Sequence, residues 1–385
     1  MDGTGVTDGT GVTNGPGASP GGPVADARVA ALCQRWFGPW PCRIEPLRSG
    51  GHSGNPLFSV EPSGEGGDAP RGRFVPKAFA ADCPAARAAW IHAFATALHA
   101  AGIDALAAPL RAPCGATLVA DDGGRLWEMC PWRPGAPVEA PTAGQAAAAL
   151  ELVARMHVAA AGIADRLGGR PPAGTIPAWD RRAEALARVA AHGFRGGGGN
   201  TSSWLAGRLS ERRRVACGLL EARGGRKACA RLAAIRLPAG AAPVRLLPVC
   251  RDLWHAHVLF EGERVSGLVD PHAAGFDTPA ADVARLLGSW RPPVSPGGGN
   301  GLVAEWAGAL RAYENVRALL PPERVLIDLL DVGGVVGGLD HWFGWVLEEG
   351  RDFADPPGVV ARVDFLVEKL DSALRRADAL LRISD

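Results

Sequence analysis

Residues 246–290 read LLPVCRDLWHAHVLFEGERVSGLVDPHAAGFDTPAADVARLLGSW, and this stretch decides the fold. Two short apolar runs flank Gly262, a pattern typical of two antiparallel strands joined by a turn. Asp252 lies just before the first run, and Asp270 ends the second. Because a hairpin brings its two ends together, we expect both carboxylates to lie at one mouth of the fold.

Two carboxylates at one mouth suit phosphoryl transfer to a hydroxyl. One can accept the proton of the attacking hydroxyl, and the other can hold the magnesium ion that bridges nucleotide phosphates. The frame Cys250-Arg251-Asp252, His257 and then Asp270 resembles the protein-kinase catalytic loop, H-R-D-x-x-x-x-N followed by a metal-binding Asp, and this resemblance implies the first role for Asp252 and the second for Asp270. The alternative is that the two aspartates are unrelated and merely flank an exposed hairpin. Their spacing alone does not exclude this alternative.

The segment resembles the catalytic region of the aminoglycoside phosphotransferase and choline kinase family. This match favours a phosphoryl-transfer site over an exposed hairpin. There, H-G-D-x-H-x-x-N is followed by I-D-x-x-x-A. Here Cys250-Arg251-Asp252 and Val269-Asp270 stand at the corresponding positions. Residues 278–284, TPAADVA, are similar to the family's D-P-x-x-D-L-A, in which Asp282 would have a structural role.

The resemblance implies an α+β, bilobal protein-kinase-like fold. It predicts a small antiparallel β-sheet N-lobe with one helix and a larger, mainly helical C-lobe. Residues 1–25 carry a DGTGVT repeat with little to bury and are expected to form a disordered tail. The expected limits are then 26–130 for the nucleotide-binding lobe, 131–136 for the hinge, and 137–385 for the helical lobe with catalytic loop and acceptor pocket.

Nucleotide-binding residues are predicted in the N-terminal part. A strand–turn–strand pattern covers residues 43–60, and a glycine-rich turn lets backbone N–H groups approach phosphate. A plain hairpin is the alternative. The residues assigned to the phosphate-binding turn are Gly50, Gly51, His52, Ser53 and Gly54.

A strand predicted over residues 74–79 carries Lys77, the only lysine in the first 226 residues. The resemblance implies that this lysine binds the nucleotide phosphates, whereas an exposed strand lysine is the alternative. A later strand ends at Glu128, Met129 and Cys130, just before a Pro/Gly linker. By position, the backbone of these three residues is expected to meet the adenine edge.

Three positions depart from the family pattern. Cys250 replaces a histidine, His257 replaces the asparagine that helps to bind magnesium, and the helix predicted over 84–101 lacks the glutamate that pairs with the strand lysine. Its nearest polar side chain is His92, which cannot supply a negative charge.

The resemblance implies that Asp270 and His257 hold Mg²⁺, although imidazole suits zinc or copper better. Alternatively, His257 hydrogen-bonds a phosphate, holds Asp252 in place, or only packs against Trp254 or hydrogen-bonds the loop. The departures also leave open a catalytically weak or inactive relative that acts as a nucleotide or metabolite sensor.

Composition narrows the class of protein. A formal net charge of +1 gives no general attraction to nucleic acid or to anionic membrane. The eight cysteines are scattered without a C-x-x-C pair, and neither a signal pattern nor an eighteen-residue apolar run occurs, so a cytoplasmic protein without zinc or disulfides is expected. The basic segment 207–245 lacks aromatic residues and is predicted to be a solvated helix face, the alternative being a cradle for an anionic substrate or nucleic acid.

We therefore predict an enzyme that uses ATP and Mg²⁺ to phosphorylate a hydroxyl of a small molecule, with neither nucleic acid nor membrane as partner. Choline-like, aminoglycoside, sugar and amino-acid acceptors all remain open, as does the oligomeric state. Several C-terminal helices are expected, including 322–330 and, after a glycine-rich break, 339–348.

Overall fold

A computed structural model describes residues 23–47, 57–64, 70–172, 174–196, 203–235, 244–292 and 301–384. The described chain divides into two compact units. The first contains the described residues of 23–93 and 108–132, and the second those of 94–107 and 133–384. Residues 94–107, which the sequence placed in the nucleotide-binding lobe, thus group with the second unit. The predicted tail lies outside the described residues except at its end, where a helix begins at Pro23.

The first unit is built on an antiparallel sheet with the strand order β1-β2-β3-β5-β4. Its elements are α1 (Pro23–Phe37), β1 (Cys42–Leu47), β2 (Leu57–Pro62), β3 (Phe74–Ala78), the start of α2 (Ala85–Ala100), β4 (Val119–Ala120) and β5 (Leu126–Pro131). Apolar residues of α1 and of the strands, among them Trp36, Phe58 and Met129, form one buried cluster. The strands expected from the sequence are confirmed.

The second unit is mainly helical. Its helices are α3 (Ala143–Leu167), α4 (Pro177–His192), α5 (Trp204–Ala222), α6 (Gly225–Ala233), α7 (Pro279–Leu287), α8 (Leu302–Glu305), α9 (Ala307–Glu314), α10 (Pro321–Phe343) and α11 (Pro356–Ser384). Two small antiparallel sheets complete it: β6 (Ala136–Pro137), β8 (Val258–Glu261) and β9 (Arg264–Leu268) in the order β6-β8-β9, and β7 (Leu247–Val249) with β10 (Gly275–Asp277).

Helix α3 is a core helix. Thr142 caps its N-terminus, where its hydroxyl accepts the N–H of Gln145 while the Gln145 side chain returns a bond to the Thr142 N–H. By length and composition α3 could cross a membrane, but half of its most apolar stretch is buried inside the protein. Residues such as Leu150, Val153 and Met156 pack inward at helical spacing.

Helix α10 corrects one sequence expectation. The glycine-rich segment 333–338 was expected to break the chain into two helices, yet α10 runs through it without interruption. A Cβ on Gly333 would lie 2.9 Å from the Cβ of Arg182, and one on Gly337 would lie 3.1 Å from the Cβ of Ala185. Glycine is therefore present for close packing against α4, not to end the helix.

The basic segment 207–245 carries ion pairs with α11. Arg212 donates to Asp364 at 2.7 Å, and Arg223 donates to Asp371 at 2.5 Å. Both arginines thus bind carboxylates of α11, and Arg212 is largely covered by that contact.

Candidate active site

The β8–β9 hairpin forms as predicted and brings its two ends together. Val258 is opposite Leu268, and Gly262 takes a left-handed φ of 62° in the turn. At the open end, the N–H of Val269 donates to the carbonyl oxygen of His257 at 3.0 Å. Asp252 and Asp270 consequently lie close enough for the negative charge of Asp270 to oppose ionisation of Asp252.

Asp252 is held in its charged form. Burial disfavours its carboxylate, but the positive charge of Arg285 and the neighbouring His257 outweigh that cost, so the pKa of Asp252 is lowered from its usual 3.8. The Nε of Arg285, on α7, donates to Oδ1 of Asp252 at 2.9 Å, and its Nη2 lies 2.8 Å from the same oxygen. The Asp252 side chain stays 44% exposed, so a hydroxyl can reach it.

The loop that carries Asp252 is held by Asp282, the first-turn aspartate of α7. Its Oδ2 accepts the N–H of Cys250 at 2.9 Å, and its Oδ1 accepts the N–H of Arg251 at 2.7 Å. Asp282 is fully buried and also contacts Nε2 of His157 at 3.2 Å, while His157 Nδ1 bonds the Tyr313 hydroxyl at 2.7 Å. The structural role predicted for Asp282 is confirmed.

Backbone conformation also marks this loop. Among the described residues, Arg251 and Asp270 are the only non-glycine residues with positive φ, at 63° and 60°. Left-handed backbone costs an ordinary L-residue about 1–2 kcal/mol and persists where the surrounding structure fixes it. For Arg251, that structure is the Asp282 bond and a donation from its guanidinium to the Phe276 carbonyl at 2.7 Å.

His257 uses both ring nitrogens within the loop. Its Nδ1 bonds the carbonyl oxygen of Asp252 at 2.8 Å, and its Nε2 accepts the indole N–H of Trp254 at 2.9 Å. The same Nε2 lies 3.8 Å from Oδ2 of Asp270. To bind a cation through Nε2, His257 would have to lose its hydrogen bond with Trp254. Its assignment as a metal ligand stays a prediction.

Replacement of His257 tests whether this residue binds the metal or only positions the loop. We expect His257→Asn to lower the free energy of unfolding by about 1–2 kcal/mol, because two hydrogen bonds are lost. Magnesium affinity, measured by calorimetry at pH 5.5 and 7.5 with AMP-PNP bound, should respond to pH in parallel in parent and variant. A pH response present in the parent and absent from the variant would instead support the ligand role, because only a neutral imidazole binds metal.

Magnesium fits Asp270 better than it fits His257. Asp270 offers an exposed carboxylate, and Mg²⁺ is commonly bound by one or two carboxylates, waters and the substrate phosphates. Within the described ranges, no group of three or more His, Cys, Asp or Glu side chains is arranged to hold a metal without such a substrate. The site is therefore suited to a cation that arrives with nucleotide.

In the first unit, Lys77 and Glu128 are direct cross-strand partners on β3 and β5, so their side chains share one face of the sheet. Glu128 is buried, and its Oε2 lies 2.8 Å from Nε2 of His92. The other ring nitrogen of His92 bonds the Thr117 hydroxyl at 2.8 Å. Glu128 thus places a carboxylate on the same face of the sheet as Lys77, a placement that the strand register could have revealed.

The remaining predicted nucleotide ligands are placed only in part. Gly50, Gly51, His52, Ser53 and Gly54 lie outside the described residues. Met129 is buried, and its carbonyl oxygen accepts the N–H of Leu110 at 2.7 Å, while Cys130 is opposite Val75 in the sheet. Their assignment to the adenine edge stays a prediction.

Comparisons with known proteins agree with this geometry. A family model described as "Phosphotransferase enzyme family" matches residues 65–319, well over half of the chain. Homoserine kinase of Beijerinckia indica is 36% identical over 87 residues, which make up 22% of this chain and 26% of that protein. The match thus spans only about a quarter of that relative's length.

Solved structures resemble most of the chain. A spectinomycin phosphotransferase in complex with ADP and spectinomycin gives a TM-score of 0.57 at 11% identity, covering 92% of this chain and 98% of that one. An amicoumacin kinase in complex with AMP-PNP and Ca²⁺ gives 0.55 at 15% identity, covering 90% and 95%. A macrolide 2′-phosphotransferase from Brachybacterium faecium gives 0.50 at 17% identity, covering 88% and 96%. These similarities confirm the predicted α+β kinase-like fold.

Proposed function

Because this chain belongs to the phosphotransferase enzyme family, we propose that it transfers the γ-phosphoryl group of ATP to a hydroxyl of a small molecule. One observation carries the proposal: Asp252 and Asp270 lie at one mouth, and Arg285 keeps Asp252 ionised. A charged, half-exposed carboxylate beside a cation-binding carboxylate is what phosphoryl transfer to a hydroxyl requires.

In this proposal Asp252 receives the hydroxyl proton while the acceptor oxygen bonds to the γ-phosphorus. The bond from that phosphorus to the β–γ bridging oxygen breaks, and ADP leaves. Asp270 would hold Mg²⁺, which when bound neutralises phosphate charge. Lys77 and the turn from Gly50 to Gly54 would bind the phosphates, and the backbone of Glu128, Met129 and Cys130 would contact adenine.

Glu128 has a second role in the proposal. Its carboxylate, fixed by His92, orients the Lys77 ammonium toward the phosphates, as the absent helix glutamate does in the family that the sequence resembles. The role depends on charge, because a neutral group of the same shape can still bond His92 but cannot attract the ammonium.

Glu128→Gln tests that role. We expect kcat/KM for ATP to fall about 10- to 100-fold, the equivalent of losing one charge-assisted hydrogen bond. Thr117→Val is the matched control, because it removes the other partner of His92 and leaves the carboxylate in place. Steady-state kinetics with varied ATP decide the question, and parental kinetics in Glu128→Gln would show that Glu128 serves packing alone.

A nucleotide or metabolite sensor is the second candidate. The Trp254 bond to His257 favours it, because that bond occupies the His257 Nε2 that would otherwise join Asp270 in holding a cation. Calorimetry separates the two functions. Nucleotide binding that ignores Mg²⁺, without ADP release over an acceptor panel, would favour the sensor.

The direct test of the proposed function is ADP release in the presence of Mg²⁺ over a panel of alcohols. The panel contains amino-acid, sugar, choline-like and aminoglycoside hydroxyls, and homoserine is included because the curated relative is named a homoserine kinase. We propose a cytoplasmic protein without a nucleic-acid or membrane partner. Release of ADP that depends on one acceptor class supports the transferase.

A further inference from the structure

The second unit contains a cavity of about 60 Å³ next to the Asp252 loop. Helices α4, α7, α10 and α11 form its walls. Arg285 lines the cavity and also donates from its guanidinium to the Asp252 carboxylate, so it links the two. A group bound in this cavity would therefore lie within one side chain of the proposed proton acceptor.

The cavity is lined by five arginines: Arg181, Arg182, Arg251, Arg285 and Arg362. The aspartates nearby are already paired. Asp252 takes Arg285, while Asp277 is 3.3 Å from Arg181 and 3.5 Å from Arg251.

The one carboxylate in the cavity wall, Asp331, accepts from Lys369 at 2.9 Å and from Arg376 at 2.7 Å. Arg182 and Arg362 have neither a hydrogen bond nor an ion pair with any residue in the part of the chain that the structure describes. Within the described residues neither guanidinium thus has a direct ion-pair partner, although the charge of Asp252 acts on both.

Both arginines are held in place although their neighbours repel them. Burial, and then Arg285 and Arg181, lower the pKa of Arg182 to about 10. Burial and Arg285 lower the pKa of Arg362 to about 9, so both remain charged at pH 7. The guanidinium of Arg362 lies 5.7 Å from the Trp254 ring centroid, which helps to orient it.

Two glycines make room for this arrangement. A Cβ on Gly333 of α10 would meet the Arg182 side chain at 2.9 Å, and one on Gly275 of β10 would lie 2.6 Å from Cζ of Arg251. Contacts below 3 Å would push α10 away from α4 at Arg182 and would displace the Arg251 guanidinium. Glycine at these two positions therefore lets α10 and β10 approach the arginine-bearing segments closely.

We infer that this cavity binds an anionic group of the acceptor, a carboxylate or phosphate, and so selects negatively charged alcohols. Guanidinium groups bind the two oxygens of such a group in a matching planar geometry. The cavity has room for an oxyanion and not for an aminoglycoside, whose ammonium groups the arginines would also repel. The identification of the bound molecule as the phosphoryl acceptor rests on the proposed function. The existence of the anion site does not.

Oxyanion binding is tested first, without turnover. Inorganic phosphate and, separately, acetate are titrated calorimetrically into parent protein saturated with AMP-PNP and Mg²⁺, so that the nucleotide site is occupied. We expect binding of at least one oxyanion, and a loss of affinity of about 10- to 100-fold in Arg182→Gln and in Arg362→Gln. Arg375→Gln is the control, since Arg375 is an exposed residue of α11 paired with Asp371.

Thermal unfolding distinguishes a binding role from a structural one. Arg182→Gln removes a charge that its neighbours repel, so the variant should unfold at a temperature equal to or above that of the parent. A structural arginine would instead lower the unfolding temperature on replacement. The inference would be overturned if the Arg182→Gln variant were less stable than the parent and bound oxyanions equally well.

Acceptor selectivity is tested with pairs that differ only in charge: glycolate and glycolamide, glycerate and glyceramide, homoserine and its amide. We expect transfer to the acid of a pair to exceed transfer to its amide, and Arg182→Gln to raise KM for the acid about tenfold or more with less change for the amide. Equal transfer to acids and amides overturns the inference while the transferase stands. Absence of transfer to every alcohol refutes the transferase, and oxyanion binding then still decides whether the anion site exists.

Discussion

Replacement of Asp252 by asparagine is expected to lower kcat about 10²- to 10⁴-fold, the contribution that a positioned proton acceptor makes. Asparagine keeps the shape of the side chain and can still accept a bond from Arg285, but it cannot take the hydroxyl proton. Affinity for ATP should change little, because no nucleotide contact is assigned to Asp252. Single-turnover transfer of a labelled γ-phosphoryl group measures the step itself.

The control for Asp252→Asn is Asp165→Asn on α3, a substitution of the same kind at a side chain that is 98% exposed. Because the pKa of Asp252 is lowered from 3.8, the carboxylate is fully ionised above about pH 5. Any fall in parental activity between pH 5 and 7 must then come from another group. Turnover of Asp252→Asn within a factor of two of the control would remove the proton-acceptor role.

Replacement of Asp270 by asparagine is expected to abolish magnesium-dependent turnover while the chain stays folded. The amide has no charge with which to attract the cation. Asparagine is among the few residues that adopt left-handed backbone readily, so the φ of 60° is preserved in the variant. Asp270→Val should instead be destabilised, because a β-branched residue is strained at that φ.

Two measurements on Asp270→Asn separate chemistry from folding. Urea unfolding should give a free energy close to that of the parent, and calorimetry should show AMP-PNP binding that no longer strengthens with Mg²⁺. A variant that unfolds in the absence of denaturant would show that Asp270 is structural. One that phosphorylates as well as the parent would show that another group holds the cation.

The hairpin and its two aspartates could be predicted because their signals are local. Two short apolar runs predict the strands, a glycine between them predicts the turn, and the geometry of a hairpin then places Asp252 and Asp270 together. The structural role of Asp282 followed from the resemblance and is explained by its two bonds to loop N–H groups.

Contacts between distant segments could not be predicted in this way. Glu128 meets His92 through the packing of α2 on the sheet, which no spacing encodes. The arginine-lined cavity draws on four helices that are far apart in the sequence. The sequence predicted a helix break at the glycines of α10, because glycine is conformationally free. Their role at Gly333 and Gly337 is instead close packing between helices.

The central claim is that ATP, Mg²⁺ and a small alcohol react at Asp252. The most direct measurement is mass spectrometry of the acceptor after incubation with ATP, with and without Mg²⁺, for parent and Asp252→Asn. The account predicts an acceptor heavier by one phosphoryl group in stoichiometric amount with the ADP formed, only with Mg²⁺ and only with the parent. An acceptor panel that stays unmodified, or one that Asp252→Asn modifies as fast as the parent does, would contradict it.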